Sequence, residues 1–425
     1  MLSVEDVRRD IPLLSEVIYA DNAATTLKPK PVIDAVANYM ARYGVNVERG
    51  SYRLAQEATE VWDNARKSVA RILLNCQPDE LVFTKSATEA INMAANALER
   101  PLLDRIDGKF SYDAPIIKWQ RGDKVVSTLL EHHSNIMPWM RLSARAGARF
   151  VMVPPSKDAL LLQENFEDVV DQQTRVVAIQ HASNCMGTVH RLKEIIKTIK
   201  VLNNRTLVVV DGSQAVGHMP VSVKELGCDF YAFSGHKGPL GPQGTGGLYI
   251  RKEILGHIDP LIVGGGAIAD VTERDYKLRS DSTAKRFEAG TPNVPGVIGL
   301  GRGAEYVREI GLTRIEARER ELARSFIDRI SAVKGVEIYG PSDLSSRCGI
   351  VLFNIEGWRC QDVSLTLDEK WKILTRAGHH CCLPAMRFFG LWEKFGGNVR
   401  ASFAYYNTDE EVEKIADAVR TIAGA

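Results

Sequence analysis

FYAFSGHKGPLGPQGTGGLYI (230–250) opens on an apolar run, breaks into a stretch dense in glycine and proline around a single lysine, and returns to an apolar run. A strand with one solvated face alternates apolar with polar residues, so near-continuous apolar runs suit strands covered on both faces. The same texture recurs upstream in LVFT (81–84), KVVSTLL (124–130), RFVMV (149–153), VVAIQ (176–180) and TLVVVD (206–211), with helical patterns between them. This alternation predicts an α/β layer built on a mainly parallel seven-stranded sheet, with ligands at the strand ends.

After about residue 295 the texture changes to long helical segments such as LTRIEARERELARSFIDRISAV, then isolated strand-like pieces (VEIYG, GIVLFNI, KILTRAG). A last helix is expected from NTDEEVEKIADAV, where Thr408 and Glu411 have capping-box spacing. We therefore expect a large domain over 20–295 and a smaller α+β domain made of 1–19 and 296–425. Residues 101–123 hold two prolines and no clear period, and read as a long loop.

Lys and Arg total 54 against 53 for Asp and Glu, so no net basic field exists to hold a nucleic acid or an anionic bilayer. Any bound anion must be captured locally. No apolar stretch approaches spanning length, and MLSVEDVRRDIPLL is charged where a secretory signal is apolar. The cytoplasm is the expected compartment. The seven cysteines form no C-x-x-C pair and no zinc or disulfide spacing, so most are expected as buried thiols.

Lys237 follows Ser234 and His236 at the end of a strand, where glycines permit close backbone approach. A solvated lysine is the usual role. A Schiff-base lysine needs a partly desolvated position that frees its amine, and this segment offers one. Asp211 ends the strand VVVD. Capping the next turn is the commoner role for such a carboxylate. It also suits pairing with a pyridine nitrogen, with Gln214 a turn later in reach of the ring hydroxyl. FTKSATEAINMAANAL starts a helix, with Ser86 and Glu89 at capping-box spacing and Ala87 and Thr88 in the first turn. Its free N–H groups suit a phosphate, towards which Ser234 and His236 converge. His132 and His133 follow a strand directly, where one of them can stack on a flat cofactor.

The ordered set DNAATT (21–26), SATEAIN (86–92), EHHSN (131–135), HASNCMGT (181–188), DGSQAVGH (211–218), SGHK (234–237), RFEAGTPN (286–293), RAGHHC (376–381) and RASFAYYNTDEEV (400–412) resembles the class V aminotransferase family of fold-type I pyridoxal 5′-phosphate (PLP) enzymes. Within it the chain is most similar to the group II cysteine desulfurases, also called selenocysteine lyases. The resemblance implies that Lys237 carries PLP as a Schiff base and His132 stacks on its ring. It implies pairing of Asp211 with the pyridine nitrogen and of Gln214 with the phenolic oxygen. Ala87, Thr88, Ser234 and His236 would hold the phosphate, joined by Thr291 from the neighbouring subunit of a homodimer. Asn184 and Arg400 would bind the substrate carboxylate, and Cys381 would be the persulfide-forming nucleophile.

The implied activity is conversion of L-cysteine to L-alanine with sulfur passed to a protein or small-molecule thiol, feeding iron–sulfur cluster assembly. Selenocysteine lyase and another class V lyase or epimerase are alternatives, and an inactive sulfur-assembly scaffold is the non-enzymatic rival. Retention of Lys237, Asp211 and His132 argues against the scaffold. A glycine-histidine turn before Cys381 is expected to favour thiolate through protonated imidazole. The chain departs from the family's pattern at Glu48, where histidine is usual, and at Cys382, where a small residue is usual. The 101–123 and 387–397 segments are longer than the pattern.

Overall fold

The computed structural model describes residues 1–107, 114–279 and 283–424. Its large sheet has seven strands: β1 (Leu81–Thr84), β2 (Lys124–Thr128), β3 (Arg149–Val153), β4 (Thr174–Gln180), β5 (Leu207–Asp211), β6 (Phe230–Ser234) and β7 (Gly246–Ile250). Their spatial order is β1-β7-β6-β5-β4-β2-β3. Only β7 runs against its neighbours, since β1 and β6 both pair with it antiparallel while the remaining pairings are parallel.

The period of two along each strand explains why apolar runs were required. Val208, Val210, Tyr231 and Phe233 point into one core while Leu207, Val209, Phe230 and Ala232 point into another on the opposite face. Each fully buried Val, Leu or Phe among them contributes about 1.5–3 kcal/mol. Both faces must therefore be covered. Helices α1 (Ala87–Asp107), α2 (Met137–Ala146), α3 (Leu192–Leu202) and α4 (Val294–Ile310) supply apolar residues to these cores.

A second sheet is antiparallel, with order β8-β9-β11-β10 for β8 (Val336–Tyr339), β9 (Ile350–Ile355), β10 (Arg376–Gly378) and β11 (Asn398–Ser402). Helices α5 (Leu312–Ile330), α6 (Cys360–Trp371) and α7 (Asp409–Ala423) close a third core against it. The Thr408 hydroxyl accepts the Glu411 N–H and the Glu411 carboxylate accepts the Thr408 N–H, so the expected capping box forms. No helix of the described residues is long and apolar enough to cross a membrane.

The 101–123 segment departs from the expected loop, because α1 continues through Pro101 to Asp107. Proline removes one helical N–H and disturbs the carbonyls a turn earlier. The indole N–H of Trp119, on the returning chain, donates to the Leu98 carbonyl at 2.8 Å and ties that chain to the helix beside the proline. Residues 108–113 of the expected loop lie outside the described residues. A hairpin at Ile268–Val271 and Tyr276–Leu278 was not expected, having no strict alternation to mark it. The 387–397 stretch folds into the end of one short helix, Leu383–Phe388, and a second, Leu391–Phe395.

Candidate active site

The carboxyl ends of the parallel strands meet at one cavity of about 230 Å³. β1 leads to Ser86, Ala87 and Thr88; β2 to His132 and Ser134; β4 ends at Gln180, β5 at Asp211, and β6 leads to Ser234, His236 and Lys237. Asn184, Gln214, Cys381 and Arg400 line the same cavity. All the residues to which the resemblance gives a role, except Thr291, thus line one cavity; His133 and Cys382 lie outside its lining. Thr291 is exposed and lines a separate cavity with Glu48, Arg49 and Lys285. Glu48 there pairs with Lys285 at 3.1 Å, so its exchange for the usual histidine leaves the catalytic cavity of this chain untouched.

Two backbone contacts fix Lys237 relative to Asp211. A Cβ on Gly217 (φ 83°) would lie 2.1 Å from the Gly238 carbonyl carbon, and one on Gly238 would lie 2.4 Å from the Val216 carbonyl oxygen. Only glycines let these loops touch. The His236 carbonyl then accepts from the Thr26 N–H at 3.1 Å and from Lys28 Nζ at 2.8 Å, while the Lys237 carbonyl accepts the Thr26 hydroxyl at 2.7 Å. The DNAATT segment therefore clamps the lysine loop from the other side.

Burial pushes the Lys237 ammonium down to about 8, against the opposing pull of Asp211. Its amine has no hydrogen-bond or ion-pair partner among the described residues. Asp211 Oδ1 accepts from the Ser213 N–H at 3.0 Å and the Ser213 hydroxyl at 2.6 Å, while Oδ2 accepts from no donor among the described residues. His132 Nδ1 accepts the Ser134 N–H at 3.1 Å, and burial together with Lys237 holds the imidazole down to about 4. Its ring is neutral at ordinary pH. The Ala87 N–H donates to Ser234 Oγ at 3.2 Å and the Glu89 N–H to Ser86 Oγ at 3.2 Å. The Glu89 carboxylate reaches Lys85 N–H instead of Ser86, so the capping box is only half formed. Thr88 N–H between them lacks an intrahelical acceptor, and the buried His236 Nδ1 has no partner. A free amine, an unspent carboxylate oxygen, a neutral ring and a helix start with unspent donors form a set that fits the aldehyde, ring nitrogen, ring face and phosphate of PLP.

At the other end of the cavity, Arg400 donates to Asp21 Oδ1 at 3.0 Å and to the Asn184 carbonyl at 3.1 Å, leaving Nε buried without a partner. Arg376 Nη1 lies 4.0 Å from Asp21 Oδ2. An incoming carboxylate would share these guanidiniums with Asp21. Asn184 Nδ2 gives one hydrogen to the His380 carbonyl at 2.7 Å, keeping its second for a carboxylate, and its Oδ1 accepts from Cys382 Sγ at 3.1 Å.

The adjacent thiols face different surroundings. Cys381 (φ 58°) lines the cavity and is partly exposed, whereas Cys382 is fully buried. Burial, with Cys185 beside it, pushes the Cys382 thiol well above its ordinary range. Neither histidine before Cys381 hydrogen-bonds its thiol among the described residues. His380 Nε2 turns to the Asn398 side chain at 2.7 Å and burial holds that ring well below its ordinary range, while His379 Nδ1 accepts the Cys381 N–H at 3.0 Å. The other six cysteines are buried, as expected.

Asp21, Ser134, Gln180, Ser213 and Arg376 join the site without having been singled out. Asp21, Ser134 and Arg376 lie inside quoted motifs, where strand-end position alone ranks no residue above its neighbours. Gln180 ends β4 as Asp211 ends β5.

The aminotransferase class-V family model matches residues 18–415. A probable cysteine desulfurase of Pyrococcus abyssi (strain GE5 / Orsay) is 43% identical over 409 residues, covering 96% of this chain and 95% of that one. The apo structure of a cysteine desulfurase from Thermococcus onnurineus NA1 is similar with a TM-score of 0.91 and 41% identity, over 100% of this chain and 99% of that chain. An Escherichia coli cysteine desulfurase in S-sulfonic acid form has a TM-score of 0.86 and 30% identity, over 99% and 98% of the two chains. With its glycine-locked lysine loop and the motif order kept from end to end, the chain belongs to the aminotransferase class-V family.

Proposed function

We propose that this protein is a PLP-dependent cysteine desulfurase that releases L-alanine from L-cysteine and keeps the sulfur as a persulfide on Cys381. The observation that carries this reading is that Cys381, alone among the cysteines of the described residues, lines the cavity that also holds Lys237 and Asp211. When bound, PLP supplies an electron sink for the carbon from which a proton or sulfur departs. Lys237, with its amine available near pH 8, carries the cofactor and moves the substrate α-proton. Asp211 Oδ2 would pair with the ring nitrogen and favour its protonated form, and the neutral His132 ring would stack on the cofactor. Arg400 and Asn184 orient the substrate carboxylate. Cys381 attacks the substrate sulfur: the sulfur–sulfur bond forms as the carbon–sulfur bond breaks, the bonding pair stays with the carbon, and protonation of that carbon gives the methyl group of alanine. The test is incubation with PLP, L-cysteine and a thiol reductant: alanine and sulfide should appear in equal amounts. Sulfide with pyruvate in place of alanine would overturn the assignment.

Asp211→Ala is expected to slow α-proton exchange by about 10²-fold or more, the usual cost of removing one preorganised electrostatic partner. The check is exchange of L-alanine in deuterated water, and an undiminished rate would contradict the role given to Asp211.

The proposed homodimer is supported by an apolar surface near Thr291's own loop region. Leu261, Ile262 and Val263 are each about half exposed, and Val271 is 61% exposed on the neighbouring hairpin. Patches of this kind mark association surfaces. Thr291 would then complete the phosphate site of the partner. Sedimentation should give a dimer, and Thr291→Val should weaken PLP retention; a monomer with unchanged PLP affinity would refute this. The sulfur acceptor is proposed as a protein or small thiol serving iron–sulfur cluster assembly; the seven free cysteines support only the proposed cytoplasmic, reducing compartment.

A further inference from the structure

Cys381 sits in a turn that its residue types disfavour. His380 (φ 48°) and Cys381 (φ 58°) are both left-handed, a region that residues bearing a Cβ avoid. Something must hold the turn. His379 Nδ1 accepts the Cys381 N–H at 3.0 Å, and His133 Nε2 accepts the Leu383 N–H at 3.1 Å. The His133 backbone N–H in turn donates to the Cys381 carbonyl at 2.7 Å. The two rings lie 5.5 Å apart, and Trp392 packs 5.6 Å from His379.

We propose that His133 and His379 are positioning residues, a pair of unprotonated acceptors that holds the Cys381 turn set for attack on the substrate sulfur and lets it loosen on protonation. This rests on the reading of Cys381 as the sulfur acceptor. Each acceptor nitrogen faces a backbone N–H, so a proton there sets two donors against each other. Burial, with His379 beside it, holds His133 below the ordinary imidazole range. A depressed imidazole favours the clamped state above its unfolded value of about 6.5, and the clamp is lost as pH falls through the lower folded value. The surrounding charges do not offset this. His132 lies 6.4 Å from His133, and Arg376, Arg400 and Lys237 share the cavity with Cys381. His380 is turned to Asn398. The histidine–carboxylate pair found among the described residues, His218–Glu319, involves neither ring.

The clamp can be kept without its titration. His379→Asn places an amide oxygen near Nδ1 and His133→Gln places one near Nε2, whereas leucine at either position removes the acceptor. In each PLP-loaded variant, alanine formation from L-cysteine is measured beside α-proton exchange of L-alanine, which needs Lys237 but no thiol. His379→Leu and His133→Leu should lose about 10²-fold of alanine formation, the scale of a misplaced reacting group, while proton exchange stays near the wild-type rate. The ratio of the two rates cancels the titration of Lys237. In the wild type it should fall more steeply below about pH 6.5 than in the double amide variant, where neither clamp acceptor can take up a proton. Normal alanine formation in the leucine variants, or an identical acid limb in the double amide variant, overturns the clamp. If a leucine variant also loses exchange, the acid limb decides by itself. Wild-type protein that exchanges the proton but forms no alanine removes the desulfurase reading, and the clamp with it.

Discussion

Lys237→Ala should abolish the visible absorbance of lysine-bound PLP and lower turnover of L-cysteine by at least about 10³-fold, since proton transfer by a positioned base alone is worth about 10²–10⁴-fold. The expectation follows from the amine's position. It is held at a strand end by the Gly217–Gly238 contact and the Thr26 hydrogen bonds, depressed to about 8 by burial, and left without a protein partner. A structural lysine in that place would spend its hydrogens as Lys28 does, on Thr26 and the His236 carbonyl. Borohydride treatment of the cofactor-loaded protein should fix PLP to the wild type and not to the variant. A reducible adduct surviving in Lys237→Ala would place the linkage elsewhere.

Cys381→Ala should retain cofactor and α-proton exchange while losing at least about 10³-fold of alanine formation, because a held nucleophile stands for an effective molarity on the order of 10⁵ M. A thiol added to solution cannot replace it. Cys382→Ala should cost less than about tenfold, the scale of one neutral hydrogen bond, here the one to Asn184 Oδ1. Two adjacent cysteines therefore predict opposite outcomes, and the physical difference is burial. Selenocysteine should still be processed by Cys381→Ala, since its carbon–selenium bond is weaker.

The large sheet was legible because its strands are covered on both faces, which forces apolar runs such as VVVD and FYAF that no solvated segment tolerates. Lys237 and Asp211 were legible for a related reason: each is a charged residue placed where such a run ends. The hairpin at Ile268–Val271 and Tyr276–Leu278 has Asp270 and Lys277 within it and buries only its Leu278 end, so no alternation announces strands. Pro101 misled because a proline is normally a helix boundary, and the Trp119 indole that ties onto this stretch comes from a distant residue. The histidines before Cys381 were recognised as a cluster, but their roles depend on which ring nitrogen meets which backbone N–H. Residue identity cannot supply that rotation. Nor could it reveal that Asp21 already holds Arg400. Whether Thr291 serves a partner's site depends on a second chain.

The most direct test of the central claim is brief exposure of the PLP-loaded protein to L-cysteine without reductant, followed by alkylation, peptide mass spectrometry and alanine measurement on the same sample. The account predicts one added sulfur on Cys381, assigned by fragmentation between residues 381 and 382, in amounts equal to the alanine released. Added sulfur on Cys382, or alanine released in full with Cys381 unmodified under these conditions, would contradict it.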